Sequence, residues 1–221
     1  MVDPLQDMTV VDYGNAPNDM MSTERTIHAV RSFVRQAAEV QHADGSLVIP
    51  FIIGGDHSLM YPDVAALTDV CGKGNVGVVH FDAHYDAGKY GFGHLINHGM
   101  PVYRLIEEDL VEGWNFIQVA LRGYYPDEKA FEWMRENGFR YHTMAEIERR
   151  GFDAVSFGYS WKRSLYRRAV RPALVKPNLV IVSAILPPLW LSDCRYRLRA
   201  WRRRSSAYRV GLMPIWFSNT L

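Results

Sequence analysis

Two short stretches of the chain bring together the residue types that bind hard divalent metals. Gly54-Gly55-Asp56-His57-Ser58 offers an imidazole and a carboxylate, and Asp82-Ala83-His84-Tyr85-Asp86 offers two carboxylates around a second imidazole. In an extended chain side chains alternate, so residues 82, 84 and 86 are expected to face one place. Carboxylates and imidazoles without thiolates favour a hard or borderline ion, Mn2+ ahead of Zn2+, and a carboxylate has two oxygens with which to bridge two ions. A paired-metal site is therefore the expectation. The competing reading, a polar strand end with a locally hydrogen-bonded histidine, suits a lone Asp-x-His-x-Asp better than one preceded by Gly-Gly-Asp-His. His80 lies inside an apolar run and His94 in a glycine-rich loop, and both read as structural.

These residues must be held by something, and each cluster follows an apolar run. Leu47 to Ile53 ends in Gly54-Gly55, Val76 to Phe81 runs into Asp82, and Phe116 to Leu121 ends in Arg122-Gly123. Continuous apolar runs of this length are expected as buried parallel strands. Thr9 to Tyr13 reads as a further short strand. Ile27, Val30, Phe33, Val34, Ala37 and Ala38 recur at helical spacing behind a cap at Ser22 or Thr23. Helices are also expected near Leu59 to Thr68, Pro101 to Leu110, Asp127 to Glu136 and Ala145 to Arg150. This alternation predicts an α/β fold of three layers, α/β/α, around a mainly parallel sheet. In such sheets ligands collect beyond the carboxyl ends of the strands, where both clusters lie.

The formal charge of +1 conceals two unlike parts. Residues 1–152 hold 12 basic and 22 acidic residues, whereas residues 153–221 hold 13 basic and 2 acidic. All eight histidines lie in the first part and four of six tryptophans in the second. An apolar content of 48% is enough for a real core and excludes disorder throughout. The longest apolar stretch, Leu179 to Leu191, contains Ser183, Pro187 and Pro188 and is shorter than the roughly 20 residues a membrane span needs. No secretion signal is read at the N-terminus. Two cysteines allow at most one disulfide and no thiolate cage, which fits a reducing cytoplasm.

The two metal-type motifs, followed by His98-Gly99-Met100-Pro101, resemble the signatures of the ureohydrolases, the arginase and agmatinase family of dimanganese enzymes. The resemblance covers residues 8 to 155. It implies an arginase-like α/β/α fold and hydrolysis of a guanidino C–N bond in a small guanidino substrate, releasing urea and an amine, with a place in polyamine metabolism. It also implies a homo-oligomer. Carried over by position, His57 and Asp86 would bind one manganese, His84 the other, and Asp82 would bridge both. Asp56 would stand behind them, orienting the ligands, and His98 would shuttle a proton to the leaving amine; otherwise His98 is a loop residue before the Pro101 helix. Paired ions lower the pKa of a bridging water by several units, so hydroxide can attack the guanidinium carbon at neutral pH. The loop Ala87 to His94 lacks the Asn/Ser pattern expected of an arginase and looks agmatinase-like, whereas Met100-Pro101 is more like arginases.

The later part departs from that family. A Ser-x-Asp-x-Asp-x-x-Asp-Pro strand, a Gly-Thr-Gly run and a substrate-binding glutamate are expected, and the only acidic residue after Asp153 is Asp193. If Val180 to Leu186 is the equivalent strand, Ser183 matches the motif serine and the ligand positions fall on Ile185 and Pro187. Four protein ligands remain, for one or two Mn2+ ions. The fold is thus expected to be incomplete at both ends, with a ureohydrolase-like domain over residues 1–155 and an atypical basic tail over 156–221. That tail is read as a diverged segment, as a nucleic-acid anchor with arginines for phosphates and Trp and Tyr for stacking, or, preferred, as the product of an altered reading frame. Three functions follow: an agmatinase-like hydrolase, a pseudoenzyme that keeps the fold without turnover, and, least favoured, a nucleic-acid binder.

Overall fold

A computed structural model describes residues 10–40, 48–54, 56–91, 93–124, 127–152 and 154–155, and the backbone of two more strands, 179–185 and 209–216. Five strands form one sheet: β1 (Val76–Phe81), β2 (Phe116–Leu121), β3 (Arg140–Thr143), β4 (Leu179–Ile185) and β5 (Arg209–Trp216). Their order is β3-β2-β1-β4-β5, and every pairing is parallel. The helices are α1 (Thr23–Glu39), α2 (Met60–Cys71), α3 (Pro101–Glu107), α4 (Glu128–Glu136) and α5 (Met144–Arg150). Parallel neighbours need a crossover connection, and α3 between β1 and β2 and α4 between β2 and β3 supply it.

The helices form where the chain caps them. Ser22 Oγ accepts the Arg25 N–H, Asp127 Oδ1 accepts that of Ala130 and Thr143 Oγ1 accepts that of Glu146. Each satisfies a donor the first turn cannot use internally and is worth about 1 kcal/mol. Pro101 opens α3, where its missing N–H costs nothing. The apolar stripe of α1 buries Ile27, Val30 and Val34, and Arg31 ties it to α2 by a forked contact to Asp69 at 2.8 and 2.7 Å.

Strand alternation divides the core between the two faces of the sheet. Val76, Val78 and Phe116 pack with α2, α3 and the α4 residue Met134 on one face. Ile117 and Val119 pack with Ile147 of α5 and with Val155 on the other. These are the three layers expected from the strand and helix alternation. Among the described residues no helix is long and apolar enough to cross a membrane.

Two expected strands are absent from the described residues. Residues 48–53 are irregular, with Ile49, Phe51 and Ile53 exposed, Ile53 at 78%. The reason is pairing: Pro50 has no N–H for a ladder, and the backbone bond recorded for this stretch is Val48 N–H to Val40 O. Residues 10–13 likewise form no strand. Conversely, β3 and β5 were not foreseen; β3 reads Arg-Tyr-His-Thr and carries no apolar run. The sequence suggests a basic helix at Trp161 to Arg171 and shows no clear period at Arg195 to Arg204, and both segments lie outside the described residues.

Gly113 shows how closely the layers meet. It opens a 3-10 turn just before β2, and a Cβ there would stand 1.9 Å from the carbonyl oxygen of Asn137, the cap of α4. Gly113→Ala is expected to lower stability by about 2 kcal/mol, the scale of overpacking in a closed core. A urea midpoint equal to that of the parent chain would show that the two backbones do not meet this closely.

Candidate metal centre

The centre forms where β1 runs out, beside the turn that precedes α2. His57 begins a 3-10 turn, His57–Leu59, whose cap is Asp56; its Oδ1 accepts the Ser58 N–H at 2.8 Å. This turn directs the His57 ring inward, 93% buried, while Asp56 stays exposed. Asp82 follows the last residue of β1, and its backbone N–H donates to Val119 O of β2 at 3.1 Å. Arg122 N–H donates back to Ala83 O at 2.9 Å, so the loop leaving β1 is fastened to the end of β2. Asp86 sits at φ 45, in the left-handed region that aspartate tolerates better than most residues. Its carbonyl accepts the Val102 N–H from the first turn of α3 at 3.0 Å.

Four side chains converge there. Ligand atoms of His57, His80, Asp82 and Asp86 all lie within 4.8 Å of one another, and all four residues are buried. His57 Nδ1 is 2.7 Å from Asp86 Oδ2 and 4.0 Å from Asp82 Oδ2. His80 Nε2 is 3.2 Å from Asp82 Oδ2, without the alignment of a linear hydrogen bond.

Burial and the neighbouring carboxylates act against each other in this cluster. Burial alone disfavours charge on His57, yet Asp86, Asp82 and Asp56 together outweigh it and raise its pKa above the usual imidazole value. For Asp82 burial is again the largest single influence and acts upward. It is outweighed by His80, the His84 backbone N–H and His57, which bring the carboxyl down to about 2. The pocket therefore favours buried carboxylate beside positive charge, which a metal ion can also provide.

The structure does not gather the expected residues as the spacing implied. His57, Asp82 and Asp86 come together, but the chain from 82 to 86 is bent instead of extended. Asp82 Oδ1 accepts the His84 N–H at 2.9 Å, an aspartate-turn bond that ends the alternation. His84 consequently stands on the solvent side of Asp82, its side chain 65% exposed and its Nδ1 3.7 Å from Asp82 Oδ1. Asp82 thus turns one oxygen toward His57 and His80 and the other toward His84. His98 is exposed in the turn before α3. His80, read from sequence as structural, is fully buried and also belongs to the cluster. Its spacing two residues before Asp82 in a strand carried the signal. The ladder between β1 and β4 ends at Phe81↔Ala184; Asp82 follows Phe81 in the chain and Ile185 follows Ala184.

Comparison with known proteins places this arrangement. The sequence model described as the arginase family matches residues 1–158. The chain belongs to the arginase family. Within it, the chain is 36% identical over 155 residues to a guanidinopropionase of Pseudomonas aeruginosa, an alignment covering 69% of this chain and 45% of that protein. It is 33% identical over 137 residues to a guanidinobutyrase of the same organism, covering 62% and 40%. An agmatinase of Chromobacterium violaceum is 30% identical over 157 residues, covering 69% and 46%. The chain thus spans less than half the length of these curated relatives. In fold it resembles the formimidoylglutamase of Bacillus subtilis, with a TM-score of 0.68 at 20% identity over 90% of this chain and 61% of that one.

Proposed function

We propose that this arginase-family chain carries manganese-dependent hydrolysis of a guanidino C–N bond, yielding urea and an amine. The observation behind the reading is the buried His57, Asp82 and Asp86 cluster at the carboxyl end of β1. The residues suit the ion. Two carboxylates and an imidazole form an oxygen-rich donor set without thiolate, and Asp82 Oδ2 is buried without an aligned hydrogen bond, a lone pair still available to a cation. His57, Asp82 and Asp86 would hold manganese, with Asp82 shared toward a second ion near His84. A bound ion would supply Lewis-acid polarisation and a lowered water pKa.

The chain's own residues have separate tasks in this reading. Asp56 keeps His57 aimed inward through its bond to Ser58 N–H and adds negative charge nearby. The turn at His84 separates the two oxygens of Asp82. His98, exposed in the loop before α3, is accessible to hand a proton to a leaving amine. Guanidino compounds of the kind named in its relatives, with a cytoplasmic setting and a homo-oligomeric form, complete the proposal. Residues 1–155 would carry the centre and 156–221 would complete the sheet.

One observation favours a second reading, a metal-binding protein without turnover. Ile185, the β4 residue that follows the Phe81↔Ala184 pair, is aliphatic, and its residue type supplies no side-chain ligand for a second ion. Loading the purified chain with Mn2+ and assaying urea release from agmatine, guanidinobutyrate and guanidinopropionate separates the two. About two ions per chain with urea release supports hydrolysis, as a paired-ion mechanism requires. One ion without urea supports the binding protein. A chain that takes up no manganese would overturn both.

A further inference from the structure

His80 Nδ1 is engaged on the side away from the other cluster members, by the amide of Gln118. His80 pairs across the parallel ladder with Gln118 of β2, and both side chains are fully buried on the same face. Gln118 Nε2 lies 2.6 Å from the backbone oxygen of Tyr85 and 3.2 Å from His80 Nδ1. A carbonyl oxygen can only accept, so the amide atom facing Tyr85 must be the NH2 group; turning the amide over would set two oxygens against each other at 2.6 Å. The same NH2 has a second hydrogen, which faces His80 Nδ1. A ring nitrogen that accepts a hydrogen bond carries no proton, so the proton of the neutral ring sits on Nε2.

That nitrogen is the one facing the centre, 3.2 Å from Asp82 Oδ2. An N–H cannot ligate a metal. The ring is also held in place: it stacks on the His57 ring at 5.1 Å and 12°, and meets Phe116 edge-on at 6.1 Å and 80°. We propose that Gln118 and His80 are a positioning pair, Gln118 fixing His80 as the Nε2–H tautomer so that this N–H faces Asp82 at 3.2 Å and limits where its carboxylate can sit, and His80 is not itself a ligand. The inference rests on the metal-centre reading above only for its consequence. The tautomer belongs to the metal-free chain.

Histidine labelled with 15N in the full-length, metal-free protein reports the tautomer directly in a long-range 1H–15N correlation spectrum. His80 is expected with a bare Nδ1 and a protonated Nε2. Gln118→Glu replaces the donor with an acceptor and is expected to move the proton to Nδ1, while Gln118→Met removes the hydrogen bond at similar length. Both variants are expected to bind Mn2+ 10–100-fold more weakly by electron paramagnetic resonance titration, the usual effect of losing a group that orients a ligand. A proton on Nδ1 in the parent chain would overturn the proposal and make His80 a candidate ligand. A changed tautomer with unchanged affinity in either folded variant would overturn it as well. If Gln118→Glu fails to fold, Gln118→Met and the parent spectrum decide. A parent chain that binds no manganese sinks the proposed function, while the spectrum still decides the tautomer.

Discussion

Asp82→Asn is expected to weaken manganese binding by more than about 100-fold, beyond the 10–100-fold cost of disturbing a group behind a ligand. Asp82 is central to the buried cluster: Oδ2 faces His57 and His80, and Oδ1 lies between the His84 backbone and its ring. An amide keeps the shape and can still accept the His84 N–H, so the aspartate turn and the fold are expected to survive. What disappears is the charge, and with it the means to neutralise a divalent ion in a largely buried site. Metal analysis of the purified variant, a Mn2+ titration and circular dichroism measure the three quantities. Parent-like manganese content in a folded Asp82→Asn chain would move the metal away from this centre.

Asp63→Asn is expected to stabilise the fold at neutral pH and to flatten its pH dependence. Asp63 lies in the first turn of α2, 1% exposed, and neither carboxylate oxygen has a partner among the described residues. Burial pushes its pKa well above the ordinary carboxyl value, and no cation among the described residues offsets that. In the unfolded chain the group ionises near pH 3.9. Above that pH the native state still holds the proton and the unfolded state has lost it. Stability therefore falls as pH rises, by about 1.4 kcal/mol per unit, until the native carboxyl also ionises. Asparagine cannot ionise, so this slope is expected to vanish. Urea unfolding at several pH values from 4.5 to 8 compares the two chains. Parallel profiles would show that Asp63 has a charged partner in the native state.

Much of the scaffold was legible because it depends on local patterns. The runs Val76 to Phe81 and Phe116 to Leu121 became adjacent strands, and Ser22 caps the helix whose apolar spacing announced it. Val180 to Leu186, considered as a strand from the sequence, overlaps β4, Leu179–Ile185, which lies against β1. The run Leu47 to Ile53 was misread because apolar content does not supply a pairing partner, and Pro50 removes one of the bonds that would bind it to a sheet. β3 escaped notice for the opposite reason: Arg140 to Thr143 has no apolar run, and pairing with β2 makes it a strand.

The family resemblance was also present in the residues alone, in Gly54 to Ser58, Asp82 to Asp86 and His98 to Pro101, and the family match over residues 1–158 agrees. Which side chains share the buried cluster was not. Alternation along an extended chain would have grouped 82, 84 and 86, but a bond from His84 N–H to Asp82 Oδ1 bends the backbone and sends the His84 ring to solvent. Carried backward into the strand, the same alternation would have found His80. Gln118 could not have been found that way: it lies 38 residues away and reaches His80 only because β1 and β2 pair in one register. Sequence determined which donor types lie near the end of the strand, because spacing along a chain is local. Tertiary structure decided which of them share one buried space, because strand register and a single side-chain to backbone bond set directions that spacing does not contain.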